Sequence, residues 1–539
     1  MKKQTKVLVT LSAAALLAVG ASAVSFADGW DNSTGVWQYL DKDGEPVTDE
    51  WKSSNGQYFW LGDDGEMVTD SVIEDDSESK PKYYYVDSNG ARVTNTWKAV
   101  AKDDDDDSDA EYYWMYFGSD GKAYTTSEGD DFTKSKIKTI NGLKYLFDEK
   151  GHMMYGWISK TDKTQHDSDD DFWRDDNVYY YGNGWNDGHL QTGWIQLTVM
   201  NDEDEEKDYW FYFDSDGYMQ KEKVKKINGV KYSFAKDGHM LDEWVVGTNS
   251  VSTKSQAPIA SYMNGDGAQR KNKWVYAIPD ENFNKDDHDD DEYRWFYLNS
   301  SGKLTTSTIK KINGKKYIFD EVGIMKKNFG YVDKDTNDYE GSFKNDKVTR
   351  ASFLGDEPKV DVVNDVDLYY FSDDEKKDGS MKKGYQTITL DDDTYQFYFN
   401  TSTGKAEYGY NTKIKKFVAT GLVLKPTDDD ANYIAVGAKV DADGAIVEKE
   451  FATGGAATYD YNDIKGHVNT TDNAYVMINK SGSVVKNKSK LKDENDHYYV
   501  VNKNGVVLLA FDSEDKYNEY FKTSTKKASE LAQSTDITV

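Results

Sequence analysis

One hairpin-like unit recurs along most of the 539-residue chain, and this repetition limits the folds that the chain can adopt. A typical copy, WKSSNGQYFWLGDDGEMVTD at residues 51–70, has a tryptophan, polar residues, an aromatic run, a glycine turn and a methionine. Asn-Gly pairs beginning at Asn55, Asn141, Asn228 and Asn313 predict type I′ turns, which need positive φ at both positions. The unit therefore predicts two short strands. They are stabilised by stacking on neighbouring copies, because an isolated hairpin is marginal in water.

The hairpin units themselves form a longer sequence repeat. The Ile-Asn-Gly motif returns at Asn141, Asn228 and Asn313, so successive copies are 87 and 85 residues apart. Each long period contains a tryptophan-type hairpin, an Ile-Asn-Gly hairpin and a looser third hairpin, as at residues 112–121, 140–153 and 177–194. We therefore predict an all-β fold, a β-solenoid of tandem aromatic β-hairpins with about three hairpins per superhelical turn.

The first 27 residues have the order of a secretory signal peptide. A basic start is followed by an apolar run from Val7 to Val19 and by small residues before Asp28. We expect this segment to be removed on export. No later stretch is apolar enough to span a membrane, and no LPxTG-like sorting motif is present, so we expect any surface attachment to be non-covalent.

The remaining chain divides at about residue 410. Residues 28–410 carry the hairpin repeats, whereas residues 411–539 are poorer in tryptophan and end in a helix-prone stretch from Glu514 to Ala532. We interpret residues 411–539 as degenerate repeats with a C-terminal cap, and a small separate β domain is the alternative.

Composition excludes several classes of function. Acidic residues outnumber basic residues by 97 to 66, giving a net charge of −31, which disfavours nucleic acid and anionic membrane surfaces as partners. The charge is compatible with neutral glycans, cationic groups such as choline, or divalent ions. The chain has no cysteine, which excludes thiol catalysis and cysteine-based metal sites. Aromatic residues make up 14% of the chain, so they must be packed, presented to a ligand, or both.

Neither metal binding nor catalysis has a clear signature. Acidic runs recur within the tryptophan-type hairpins, at residues 103–109, 202–206, 286–292 and 391–393. They are interpreted as solvated loop tips. Cation capture is the alternative, although the runs lack the spacing of an EF-hand loop. His152 and His239 occupy the same repeat position, and no HExxH, GxSxG, Walker or CxxC pattern occurs. We therefore expect no cofactor, no metal site and no enzymatic activity.

The repeats resemble a known family. The hairpin with Trp194, the run Trp210 to Phe213, the Asp216-Gly217 turn and Met219 is similar to the cell-wall-binding, or choline-binding, repeat. The INGxKYxFDxxGxM units resemble repeats of clostridial toxin receptor-binding regions and streptococcal glucan-binding domains. The resemblance implies ligands held between consecutive hairpins. In choline-binding members, two tryptophans and one tyrosine form a cage for a quaternary ammonium, and in glucan-binding members the rings stack on sugars.

The resemblance implies ligand-binding roles for aromatic residues on the first strand, on the second strand and on the following hairpin. These are Trp97, Trp157, Trp194 and Trp274, then Trp114, Trp210 and Trp295, and finally Tyr145, Tyr232 and Tyr317. The alternative for each is packing between hairpins. Tyr385 stands where a first-strand tryptophan is expected.

These observations predict a secreted, non-catalytic surface protein of a Gram-positive bacterium. It would bind cell-wall or other extracellular polysaccharide, or a choline-substituted polymer, without contacting nucleic acid or inserting into a membrane. The alternative is a repeat rod that acts as an adhesin or scaffold for a protein partner.

Overall fold

The computed structural model describes residues 7–9, 29–76, 80–102, 110–126, 132–161, 164–166, 179–201, 205–247, 260–345, 348–354, 366–373, 379–427, 431–453 and 455–539. The protein is all-β, with 44% strand and 7% helix, as the sequence predicts. The strands form many small hairpin sheets. The chain has two compact units, one formed by residues 1–242 and 265–268 and the other by residues 243–264 and 269–539.

The first unit consists of antiparallel hairpins. Its strands are β1 Val7–Val9, β2 Trp30–Asp31, β3 Gln38–Tyr39, β4 Glu50–Ser54, β5 Gln57–Leu61, β6 Ser71–Asp75, β7 Lys82–Val86, β8 Thr96–Val100, β9 Tyr113–Phe117, β10 Lys138–Ile140, β11 Leu143–Tyr145, β12 Gly156–Ser159, β13 Gln165–His166, β14 Tyr179–Gly182, β15 Gly193–Met200, β16 Glu206–Phe213, β17 Lys223–Ile227 and β18 Val230–Phe234. β1 pairs with β6, and the rest of the predicted signal peptide lies outside the described residues.

The second unit adds larger sheets and short helices. Its strands are β19 Glu243–Val246, β20 Ala260–Met263, β21 Lys273–Ala277, β22 Arg294–Leu298, β23 Thr308–Ile312, β24 Lys315–Phe319, β25 Met325–Lys326, β26 Asn328–Asp333, β27 Tyr339–Phe343, β28 Val366–Phe371, β29 Gly384–Leu390, β30 Asp393–Phe399, β31 Gly409–Asn411, β32 Lys416–Ala419, β33 Leu422–Val423, β34 Tyr433–Ala438, β35 Thr458–Tyr459, β36 Ala474–Asn479, β37 Lys488–Lys492, β38 Tyr498–Val501 and β39 Val507–Phe511. Its helices are α1 Lys285–Asp289, α2 Tyr461–Ile464, α3 Glu514–Thr523, α4 Ala528–Gln533 and the 3-10 helix Arg350–Phe353.

The predicted Asn-Gly turns are confirmed. Asn55, Asn141, Asn228 and Asn313 have φ between 48° and 51°, and the glycine after each also has positive φ. This is the type I′ geometry that matches the twist of the two strands it joins.

A second tight turn follows each aromatic strand. In the turn after β16, Oδ1 of Asp214 accepts hydrogen bonds from the backbone N–H groups of Asp216 and Tyr218, and Gly217 has a φ of 88°. The chain then returns so that Met219 pairs with Phe213. Equivalent pairs close the other turns, including Val86 with Arg92, Phe147 with Met153, Phe234 with Met240 and Phe319 with Met325.

Consecutive hairpins are joined through the residue that follows this turn. In the first unit, the backbone N–H of Met153 donates to the carbonyl of Trp114 at 2.7 Å, and that of Met240 donates to Trp210 at 2.7 Å. Leu304 donates to Ala260 in the same way in the second unit, at 2.8 Å. Each of these three hairpins is therefore held to the second strand of the hairpin before it.

The C-terminal residues have a conventional core. One buried cluster contains Phe329, Phe397, Val436, Val500 and Leu531, so it extends across the boundary predicted at residue 410. The helix-prone end is confirmed as α3 and α4. Within the described residues, no helix has the length and apolar character needed to cross a membrane.

Candidate functional site

Nine of the ten predicted site residues lie in three groups of identical composition. Each group has a first-strand tryptophan, a second-strand tryptophan two pairs further along the same hairpin, and a tyrosine from the next hairpin. We name them the first cage (Trp97, Trp114 and Tyr145), the second cage (Trp194, Trp210 and Tyr232) and the third cage (Trp274, Trp295 and Tyr317).

The second and third cages have nearly the same geometry. The ring centroids of Trp194 and Trp210 are 6.4 Å apart with planes at 82°, and those of Trp274 and Trp295 are 6.2 Å apart at 87°. The tyrosine of the next hairpin meets the first-strand tryptophan edge-on, with centroids 4.8 Å apart in both cages. Because the three rings meet at steep angles, their arrangement suits a compact ligand group better than a flat one.

The second-strand tryptophans are the accessible walls of these cages. Trp210 is 40% exposed and Trp295 is 42% exposed, although apolar side chains of this size are usually buried. The tyrosine walls are deeper, and Tyr317 is buried. Each of these two cages therefore has a rigid base with a tryptophan on its solvent side.

The first cage is more closed. Trp97 meets Tyr145 edge-on at 5.0 Å, and both Trp97 and Trp114 pack against the buried cluster of Tyr145, Phe147 and Met153. The indole N–H of Trp114 is buried and has no hydrogen-bond partner among the described residues. Burial also raises the pKa of Tyr145, with a smaller contribution from Asp187, so its phenol is neutral at pH 7.

Sequence reasoning missed a methionine at each cage. Met153, Met240 and Met325 follow the glycine turn of the hairpin that supplies the tyrosine. Each lies against the glycine of a later turn, where a Cβ on Gly188, Gly267 or Gly379 would come within 2.7 Å of methionine side-chain atoms. The methionine at the end of the repeat pattern was the available signal. Its thioether is polarisable and adapts to the shape of its neighbours.

Trp157, the tenth predicted residue, is not part of a Trp-Trp-Tyr cage. It is completely buried, and its ring packs edge-on against Tyr181 and Phe211 at 5.3 and 5.2 Å. The next hairpin supplies Phe211 where the cages have a tyrosine. Trp157 therefore has no accessible ring face, and its position fits the packing alternative.

Two further aromatic groups at the N-terminal end of the repeats were not predicted. Trp30 meets Phe59 of the next hairpin edge-on at 5.3 Å. In the following hairpin, Trp51 lies 5.1 Å from Tyr84. The sequence shows the first-strand tryptophan in both hairpins. In the second of them the second-strand position is Tyr58, so this hairpin does not match a pattern of two tryptophans.

The described acidic runs have local roles. Residues 286–289 of the run at 286–292 belong to α1, which begins after the Asn284 cap. Arg294 pairs with both Asp287 and Glu292, at 2.7 and 2.6 Å. Asp391 and Asp392 form the two-residue turn between β29 and β30. The run at residues 103–109 and the first three residues of the run at 202–206 lie outside the described residues. Among the described residues, no three acidic or histidine side chains are grouped so as to hold a metal ion.

The repeated histidines are held by their neighbours. His152 stacks on Tyr113 with ring centroids 3.9 Å apart, and its Nδ1 lies 3.1 Å from an Asp148 carboxylate oxygen. His239 packs in the same way on Tyr209, at 4.7 Å. Their equivalence confirms that both belong to the repeat.

Comparison with curated sequences gives a relative of these hairpins. The chain is 26% identical over 243 residues to Glucosyltransferase-S of Streptococcus mutans. The hairpins are similar to choline-binding and glucan-binding repeats. The match covers 39% of this chain but only 15% of the glucosyltransferase, so the chain spans a small part of that enzyme's length. No family model matches the chain.

Solved structures of proteins with choline-binding repeats are also similar to the chain. Choline binding protein F of Streptococcus pneumoniae has 18% identity and a TM-score of 0.29, with 70% of this chain and 98% of that protein covered. The modular autolysin LytC of the same organism has 20% identity and a TM-score of 0.28, and the match covers 55% of this chain and 53% of LytC.

Proposed function

We propose that the chain is a non-catalytic binding protein that holds cell-wall or other extracellular polysaccharide through its three aromatic cages. The observation that carries this proposal is the repetition of the same Trp-Trp-Tyr group, with Trp210 and Trp295 exposed on the solvent side. A side chain that only packs hairpins together needs no such exposure, and Trp157 illustrates the fully packed alternative.

The shape of the cages favours a cationic substituent such as choline on the polymer. A quaternary ammonium is compact and is attracted by the faces of aromatic rings, with about 0.5–2 kcal/mol for each ring depending on desolvation. Because the rings meet at 82° and 67° around Trp194, we expect them to contact such a group from more than one side. The net charge of −31 also favours a cationic ligand at long range.

We further propose that the stacked hairpins within each unit form a solenoid with three hairpins per turn. In the first unit the first and second cages lie on the hairpins β8–β9 and β15–β16, which are three hairpins apart. Such an arrangement would place these two cages on one side of the first unit and give a polymer two attachment points there, which raises the overall avidity. Export by the predicted signal peptide would bring the protein to the cell surface.

The proposal is tested by retention of the purified protein on insoluble polymers. Producer cell walls, starch, dextran and cellulose are compared, each with and without free choline. We expect retention on one polymer that is lost when both Trp210 and Trp295 are replaced by alanine. Release by choline indicates a choline-substituted polymer, and release by a soluble fragment indicates the sugar itself.

A matched control is Tyr385→Ala. Tyr385 is 43% exposed and follows the left-handed Gly384, as Trp194 follows Gly193, but Gln396 replaces the second-strand tryptophan. This variant should be retained like the wild type. Absence of retention on all four polymers would contradict the proposal and favour a protein partner, as would equal retention of the cage variant.

A further inference from the structure

Arg92 lies inside an aromatic group of its own. The carbon at the centre of its guanidinium is 4.2 Å from the ring centroid of Tyr58, 5.4 Å from that of Tyr84 and 5.5 Å from that of Trp51. We name Trp51, Tyr58 and Tyr84 the arginine box. A guanidinium within about 6 Å of a ring centroid is attracted by the ring face, and here three rings satisfy that condition.

The arginine box corresponds to the second cage position by position. Trp51 and Trp194 are each the second residue of the first strand of their hairpin, and a left-handed residue stands close before each, Asp49 two positions before Trp51 and Gly193 one position before Trp194. Tyr58 and Trp210 both lie two residues before the partner of the first-strand tryptophan. Tyr84 lies two residues before the end of the next aromatic strand, as Tyr232 does; the two strands end at Val86 and Phe234.

Arg92 corresponds in the same way to Met240. Its backbone N–H donates to the carbonyl of Tyr58 at 2.8 Å, whereas that of Met240 donates to Trp210 at 2.7 Å. Both side chains lie on the glycine of a later turn. A Cβ on Gly121 would be 2.7 Å from the Nε of Arg92, and a Cβ on Gly267 would be 2.1 Å from the sulfur of Met240. One position of the repeat therefore carries methionine at the three cages and arginine at the box.

The surroundings of Arg92 are aromatic. It forms no ion pair with any residue in the described part of the chain, and it is partly buried. The carboxylate of Asp75 lies at the edge of the box, where it accepts a hydrogen bond from the indole N–H of Trp51 at 3.2 Å. The rings are thus the direct partners of the guanidinium, and one carboxylate fixes the orientation of a ring.

We propose that the arginine box is an organic-cation site that the chain fills with its own Arg92, so that this residue withholds one cage from external ligands. The class of external ligand, a small alkylammonium or guanidinium ion, rests on the function proposed above. Methionine at position 92 converts the box into a further cage of the kind formed around Trp194 and Trp274.

The first test removes the guanidinium and supplies it again from solution. The purified Arg92→Ala protein is melted with and without millimolar methylguanidinium, beside the wild type and Arg270→Ala. Arg270 is a matched control because it occupies the next position of its repeat and hydrogen-bonds to Asn264. We expect methylguanidinium to raise the melting temperature of Arg92→Ala by more than it raises those of the wild type and Arg270→Ala, because only Arg92→Ala has the box as an additional open site. Equal responses of all three proteins, or no response, would overturn the proposal.

The second test counts bound choline by equilibrium dialysis. Arg92→Met carries the residue found at this position in the three cages, so hairpin stacking is retained. We expect it to bind one more choline per chain than the wild type, and Tyr58→Ala in the same background to abolish the gain. If the wild type binds choline and Arg92→Met binds no more than the wild type, the proposal for Arg92 is wrong while the proposed function of the three cages stands. If the wild type binds no choline, choline as the ligand of the proposed function is wrong. The methylguanidinium experiment then still tests whether the arginine box is an organic-cation site.

Discussion

The indole ring of Trp194 lies nearly perpendicular to that of Trp210, with planes at 82° and centroids 6.4 Å apart, although both belong to one hairpin. The two residues project from the same face of the ribbon because they are two cross-strand pairs apart. Tyr232 of the next hairpin completes the group at 4.8 Å from Trp194. A cage of this kind needs two stacked hairpins, so ligand binding and hairpin stacking are coupled.

The first prediction separates packing from ligand binding. Trp157→Ala should destabilise the protein by about 3–5 kcal/mol, because a completely buried indole is lost and leaves a cavity. Trp210→Ala should cost much less, because this ring is 40% exposed. Urea unfolding of the two variants measures the difference. Equal losses of stability would contradict the assignment of Trp157 to the core and Trp210 to a cage.

The second prediction concerns the partly buried Tyr339. Burial raises the pKa of Tyr339 from 10.0 to about 12. Its phenol therefore stays protonated in the folded protein at a pH where the unfolded chain already ionises. The stability that this provides is fully present below pH 10 and is lost as the pH rises towards about 12.

Tyr339→Phe removes this ionisation, so the variant should lose less stability than the wild type between pH 10 and 12. Urea unfolding at pH 8 and at pH 11 measures the two losses. Tyr520→Phe, at a tyrosine of α3 that is 36% exposed, is the control for loss of a phenol oxygen, and Tyr339→Phe should differ from it in the loss measured between the two pH values. An unchanged loss in Tyr339→Phe would count against the burial of this phenol.

The third prediction tests the packing of the C-terminal residues. Gly142 and Gly409 both have positive φ, so alanine at either should cost about 1 kcal/mol for the backbone conformation. At Gly142 no heavy atom lies within 4 Å of the added Cβ, whereas at Gly409 the backbone nitrogen of Glu450 would be 2.2 Å away. Gly409→Ala should therefore have the clearly lower melting temperature. Similar melting temperatures would show that β31 does not pack against residue 450.

Several features of the fold could be predicted because they depend on neighbouring residues. The Asn-Gly pairs determine type I′ turns locally, and all four have the expected positive φ. The resemblance to choline-binding repeats named the nine residues that the structure groups into three cages. The helix-prone end predicted from Glu514 to Ala532 followed from local propensity and corresponds to α3 and α4.

Other features depend on the particular residue that stacking brings into contact. Trp157 shares the first-strand position of Trp194, but its next hairpin supplies Phe211 and closes the site. The position of Arg92 is equivalent to that of Met240, and only the stacking shows that its side chain enters an aromatic group. The continuity of the core from Phe329 to Leu531 likewise depends on long-range packing that no repeat pattern encodes.

The central claim is that the cages bind ligand, and counting choline bound per chain at equilibrium tests it most directly. We predict that the wild type binds choline at the cages and that Trp114→Ala, Trp210→Ala and Trp295→Ala each remove one bound choline, while Tyr385→Ala removes none. Loss of one ring wall should weaken the affected site by about tenfold or more, which is about 1.4 kcal/mol. A wild type that binds no choline would contradict choline as the ligand, and a count unchanged by all three tryptophan substitutions would contradict the assignment of ligand binding to the cages.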